Sequence, residues 1–203
     1  MKASTTMVAV VSALLAAGSI TMPQAFAAHS LLVANYDGNT ATSQILRYDS
    51  SDGTFLGSFT SGGNLTLALG LAYGPNGNLY VSDFNSGNIL RYDAHTGAYL
   101  GVFANVSGHF PYGIVFGPDG HLYVGLSGGD IQRFNGITGA FMGTFVTAPL
   151  VSSDFGGMTF HNGYLFVTYI NNPHGSLYQY NGSTGAFVAN LYECSTCGQC
   201  EVV

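Results

Sequence analysis

The sequence predicts an all-β fold built from four copies of a four-stranded antiparallel unit, and three observations predict it. The segment at 70–83 (GLAYGPNGNLYVSD) recurs 43 residues later at 113–125 (GIVFGPDGHLYVG) and again at 156–168 (GGMTFHNGYLFVT). A second segment recurs at 45–49 (ILRYD), 89–93 (ILRYD), 131–135 (IQRFN) and 177–181 (LYQYN). The composition supplies 29 Gly, 13 Tyr and 14 Phe, which suits many short strands joined by tight turns. A period of this length holding four strands is the size of one blade, so the architecture expected is a β-propeller, with four repeats and an incomplete ring as written.

Each unit reads the same way. Its first strand is the GLAY-type run, and a Pro-Asn-Gly or Pro-Asp-Gly turn leads to the second, LYV. A polar loop leads to the third strand, which ends in Asp49, Asp93, Asn135 or Asn181 with Gly53, Gly97, Gly139 or Gly185 four residues on. An Asx side chain bonds the backbone just ahead of it, and glycine accepts a positive φ without strain, so these are hairpin turns. Phe55, Tyr99, Phe141 and Phe187 then open the fourth strand. The blades span approximately 31–59, 70–103, 113–145 and 156–191, within a repeat region at 28–192. Long antiparallel stretches without helical periodicity exclude an α-solenoid.

The first 27 residues read as a secretory signal peptide: Lys2, a soft apolar run from Met7 to Ile20, Pro23, and the small-x-small pattern Ala25-Phe26-Ala27. The run is shorter than the roughly 20 residues a membrane span needs. Cleavage near Ala27/Ala28 and a secreted or periplasmic chain without a membrane span are therefore expected. Without Lys2 the chain carries Arg47, Arg91 and Arg133 against ten acidic residues and has no lysine. Such a surface lacks the cations that phosphate contacts need, which argues against nucleic acid and anionic membranes.

The stretch at 111–124 (PYGIVFGPDGHLYV) resembles the NHL-repeat family and is similar to the SMP-30/gluconolactonase and streptogramin-lyase propellers, over roughly residues 31–191. The resemblance implies a ring of about six blades, whereas four units are present and the first lacks its opening strand. Counting back by the 31-to-79 offset places that strand at residue 22, inside the leader. Three explanations stand: a fragment of a longer propeller; a short propeller whose C-terminal residues 201–203 supply the missing inner strand; or two chains pairing through open blade edges.

The resemblance also implies a binding face made by the second-to-third-strand loops and the loops between blades. Its ligand-binding candidates are Asp83, Asn85, His109, Tyr112, Asp154, Asn172 and His174. His109 before Phe110-Pro111 is the residue type for a general base or metal ligand, and so is His174 after Pro173. Asp83 also reads as a brace for the loop backbone through Asn85-Ser86-Gly87. Lactonase-type relatives hold a divalent cation with carboxylates and an Asn, and lyase-type relatives rely on His and Glu. Here both glutamates, Glu193 and Glu201, fall in the tail, and Tyr112 stands where lyase-like repeats often place His. No catalytic or metal-ligating residue is therefore assigned, and no cofactor is expected, although an Asp/Asn/His site for a divalent cation such as calcium is chemically possible. His95, His121 and His161 fall in turns on the opposite face and are discounted.

The tail at 193–203 holds Cys194, Cys197 and Cys200. Export favours disulfides over a metal site, and three cysteines leave one unpaired, with the pairing open. The expectation is an exported scaffold that binds protein, peptide or glycan through its loop face. The alternatives are a metal-dependent hydrolase or lyase and a non-functional truncated paralogue.

Overall fold

The computed structural model describes residues 8–11, 30–37, 42–148, 154–171, 174–196 and 199–202, and all its regular elements are strands. Two compact units divide the chain at 105/106.

The first unit holds two four-stranded meanders. One runs β1 (Val8–Val11), β2 (Ser30–Asp37), β3 (Thr42–Asp49), β4 (Phe55–Ser58); the other runs β5 (Ala68–Tyr73), β6 (Leu79–Asp83), β7 (Asn88–Tyr92), β8 (Tyr99–Asn105). Every neighbouring pair is antiparallel. The inner strands of the first sheet lie against β5. Leu32, Ala34 and Ile45 from one sheet bury themselves with Ala68, Leu71, Leu79, Val81 and Leu90 from the other. The second unit repeats the plan with β9 (Pro111–Phe116), β10 (Leu122–Leu126), β11 (Ile131–Phe134), β12 (Phe141–Val146), then β13 (Asp154–His161), β14 (Tyr164–Asn171), β15 (His174–Asn181), β16 (Phe187–Thr196) and a fifth strand, β17 (Gln199–Val202). Its core is aromatic: Tyr123, Phe155, Tyr169, Tyr178 and Tyr180 pack with Ile131, Val146, Leu165 and Val167.

The third-to-fourth-strand turns form as the Asx-to-glycine spacing predicts. Asp93 Oδ1 accepts from the N–H groups of His95 (2.9 Å) and Thr96 (2.7 Å), and the Gly97 N–H closes the turn on the Asp93 carbonyl at 2.9 Å. Asn135 and Asn181 accept the same pair of bonds in their own turns. Gly53, Gly97, Gly139 and Gly185 all take φ between 72° and 76°. The turn also docks against the preceding blade. A Cβ on Gly97 would collide with the Phe59 carbonyl, and one on Gly185 with the Phe145 carbonyl.

The second strands β6 and β10 are buried along their whole length, which explains why LYV is an uninterrupted apolar run. The fourth strands are the wet ones: Phe55, Phe141 and Phe187 are 57–59% exposed at the start of β4, β12 and β16. In the second unit Phe155 seats against the backbones of Gly113 and Gly125, each of which has room for the ring only because it lacks a Cβ.

Two placements differ from the sequence reading. The strand expected at residue 22 lies instead at Val8–Val11, pairing with β2 from Val8↔Asn35 to Val11↔Leu32. Counting back assumed a constant loop length, and a short apolar run carries no register of its own. The C-terminal residues do not supply an inner strand. β17 adds to the outer edge of β16, with Tyr192 opposite Val202 and Cys194 opposite Cys200.

Candidate functional site

The loop end of the first unit is organised by Asp83, the last residue of β6 and only 1% exposed. A carboxylate removed from water needs its oxygens occupied. Oδ1 accepts from the Leu67 N–H (2.7 Å), the Thr66 N–H (3.1 Å) and the Thr66 hydroxyl (2.7 Å), while Oδ2 accepts from the Ser86 hydroxyl (2.7 Å). Phe84 N–H returns a bond to the Leu67 carbonyl at 2.8 Å. Two further hydroxyls extend the network: Ser43 Oγ accepts from Ala68 N–H at 3.0 Å, and Ser82 Oγ from Gly70 N–H at 2.7 Å. The linker between the two blades is thus pinned to β3 and β6. Asn85 sits exposed in the turn that Asp83 begins, closed by the Gly87 N–H on the Asp83 carbonyl at 3.1 Å.

The second unit gathers most of the remaining candidates at one end of its two sheets. Pro111 opens β9 opposite Leu126, and Ser127 N–H donates to the Phe110 carbonyl at 2.9 Å. His109 and Phe110 are exposed beside that contact, and Tyr112 is half-buried against the aromatic core. In the neighbouring sheet Asp154 opens β13 opposite Ile170, and Asn171 and His174 face each other across the next pair. His109, Tyr112, Asp154 and His174 therefore share an end, while Asn172 lies outside the described residues. Asp130 Oδ1 accepts from Ala148 N–H at 2.7 Å, bracing this unit's interblade linker as Asp83 does in the first. The Tyr169 hydroxyl donates to the Gly129 carbonyl at 3.1 Å and lies 3.4 Å from the Tyr180 hydroxyl. Burial, then the bond to Tyr180, pushes the Tyr169 phenol well above its ordinary value.

A shallow pocket of about 160 Å³ opens at the other end of the second unit, between Pro118, the Phe160–Gly163 turn and Gly182-Ser183. His161 is its one titratable group. The sequence reading set His161 aside as a turn residue. Its signal was the Asn162-Gly163 pair, both at positive φ, which makes a tight two-residue hairpin and brings His161 opposite Tyr164.

A divalent cation of the lactonase kind needs several convergent carboxylate, Asn or His donors. Among the described residues no three His, Cys, Asp or Glu side chains converge to hold a metal. The oxygens of Asp83 are turned to loop hydrogen-bond donors, as is Asp130 Oδ1. The described donor set does not fit such an ion. No helix among the described residues is long and apolar enough to cross a membrane.

With this geometry in view, comparison with known proteins identifies the fold. A model of the strictosidine synthase-like N-terminal family matches residues 104–134. The hydrazine synthase of Kuenenia stuttgartiensis superposes with a TM-score of 0.61 at 18% identity, covering 80% of this chain and 45% of that one. A gluconolactonase of Xanthomonas campestris superposes at 0.55 with 21% identity, covering 69% and 50%. Regucalcin from Agrobacterium tumefaciens, a calcium-binding protein, superposes at 0.53 with 19% identity, covering 69% and 49%. The chain spans about half the length of these structures. No curated protein matches it in sequence. The chain shares the β-propeller fold of these structures, and its four sheets correspond to blades of that fold.

Proposed function

We propose that this chain is an exported binding scaffold of the β-propeller type, presenting rigid loop ends to a polar protein, peptide or glycan partner. One observation carries the reading: both oxygens of the buried Asp83 carboxylate, and Oδ1 of Asp130, accept hydrogen bonds that hold the loop ends and interblade linkers in place. Loops braced this way lose little freedom on binding, so more of the contact energy appears as affinity. Asn85 is exposed in the turn that Asp83 begins, and His109 and Phe110 are exposed beside the backbone bond from Ser127 to Phe110. The scarcity of cations, four Lys and Arg against ten acidic residues, suits neutral or cationic partners.

A second reading, a hydrolase of the lactonase type, draws support from the fold shared with the gluconolactonase. One experiment separates the two. The purified chain is screened against arrays of neutral and cationic peptides and of glycans, and assayed on lactones with and without calcium. The scaffold reading expects a binder whose affinity drops at least tenfold in His109→Ala or Phe110→Ala, with no lactone turnover. Calcium-dependent turnover would replace it with the hydrolase reading. Export is tested separately, by fusing residues 1–30 to a reporter active only outside the cytoplasm.

A further inference from the structure

The register of the β16–β17 hairpin bears on a pairing that cysteine spacing leaves open. Cys194 in β16 stands directly opposite Cys200 in β17, next to the regular pair Glu193↔Glu201, with the register shifting by one residue between Cys194 and Thr196 before Thr196↔Gln199. Residues directly opposite in an antiparallel ladder have Cα atoms about 4.5–5.5 Å apart. That lies within the roughly 4.4–6.8 Å that a disulfide spans. We infer that Cys194 and Cys200 form a cross-strand disulfide that locks β17 onto blade four, leaving Cys197 as the remaining thiol.

The lock has a place in the fold. β4, β8 and β12 each end their sheet, with one strand neighbour apiece, whereas β16 is paired on both sides, by β15 and β17. An unpaired edge invites association with another chain. β17 is short, so a covalent tie beside its pairing is what keeps that edge covered. The chemistry is thiol–disulfide exchange with an external disulfide such as oxidised glutathione. One cysteine thiolate attacks the external disulfide to give a mixed disulfide and one released thiol. The second cysteine then displaces the other half. Both protein thiols are oxidised to one S–S bond, and the oxidant leaves as two thiols carrying the two protons.

The test uses the full chain equilibrated with oxidised and reduced glutathione in the presence of a chelator. Free thiols are blocked with iodoacetamide, disulfides are then reduced, and the released thiols are labelled with N-ethylmaleimide. A glutamate-specific protease cutting after Glu193 and Glu201 gives one peptide with all three cysteines, whose fragment spectrum locates each label. The inference expects iodoacetamide on Cys197 and maleimide on Cys194 and Cys200. Cys197→Ser should keep the disulfide, and reduction should raise amide exchange in β17 while β5–β8 are unchanged. A disulfide that includes Cys197, three free thiols, or protection of all three that appears only when zinc replaces the chelator would each overturn it.

Discussion

The Asp83 carboxylate accepts a 2.7 Å hydrogen bond from the backbone of Leu67, sixteen residues earlier in the chain and on the linker that enters the blade. It joins the end of one strand to the segment that fixes where the whole blade sits.

That bond makes Asp83 a measurable strut. Asp83→Ala strands the Thr66 and Leu67 N–H groups in a buried site and should cost about 3 kcal/mol, lowering Tm by roughly 6–12 °C for a chain of this size. Asp83→Asn keeps an acceptor for the linker and should cost about 1 kcal/mol. Thermal unfolding followed by circular dichroism ranks the two. Equal Tm values for Asp83→Ala and wild type would remove the strut from the account.

Two equivalent turn glycines separate backbone strain from blade docking. Gly53 and Gly97 have φ of 76° and 72°, but a Cβ meets nothing within 4 Å at Gly53 and meets the Phe59 carbonyl at Gly97. Gly53→Ala should cost about 1–2 kcal/mol, the ordinary penalty of a left-handed conformation. Gly97→Ala carries that penalty and forces the blades apart, for roughly 3 kcal/mol or more. Denaturant midpoints measured side by side decide it, and equal costs would show that the docking contact contributes nothing.

Alkali should unfold the chain through its tyrosines. Burial, reinforced by the hydrogen bond to Asp119, pushes the Tyr123 phenol from 10.0 up to about 12. Tyr92, Tyr169 and Tyr180 are raised as well, with burial the leading cause in each. A folded value above the unfolded one means this contribution to stability is full below pH 10 and is lost as pH climbs from 10 through about 12. Tyrosinate absorbance and circular dichroism should therefore change together over that window. Ionisation of every tyrosine near pH 10 with the dichroism intact would contradict it.

A chain beginning at Ala28 lacks β1 and leaves the β2 edge, Leu32–Asn35, without its partner strand. Amide exchange in β2 should rise at least tenfold while β6 and β7 keep their protection. Self-association should increase, because an open apolar edge pairs with whatever strand it meets. Size-exclusion chromatography and hydrogen exchange on the two lengths test this together. Identical β2 protection in both would show that β1 carries no share of the first blade.

Much of the fold was legible because its determinants are local. Asp93 and Gly97 make their turn from bonds spanning at most four residues, and the same chemistry recurs at Asp49, Asn135 and Asn181. The LYV runs were legible as second strands, and the structure buries them along their whole length in β6 and β10. The loop end was legible only in outline. Asp83 was readable as a loop brace through its neighbours to Gly87, but its principal partners, Thr66 and Leu67, lie across the linker. The room that Gly113 and Gly125 leave for Phe155 is likewise a fit between distant segments.

The sequence by itself determined the repeat, the strand order within each blade and the turn that closes each hairpin, since these rest on side chains bonding their own backbone. Tertiary structure decided which strand completes a blade and which edge is capped: β1 from Val8–Val11 rather than residue 22, and β17 on the outside of β16. A strand's partner depends on which edge is open and which register buries its side chains, and both are properties of the assembled sheet. The Cys194↔Cys200 register belongs to that second class, because spacing lists three cysteines and only the ladder puts two of them at paired backbone positions.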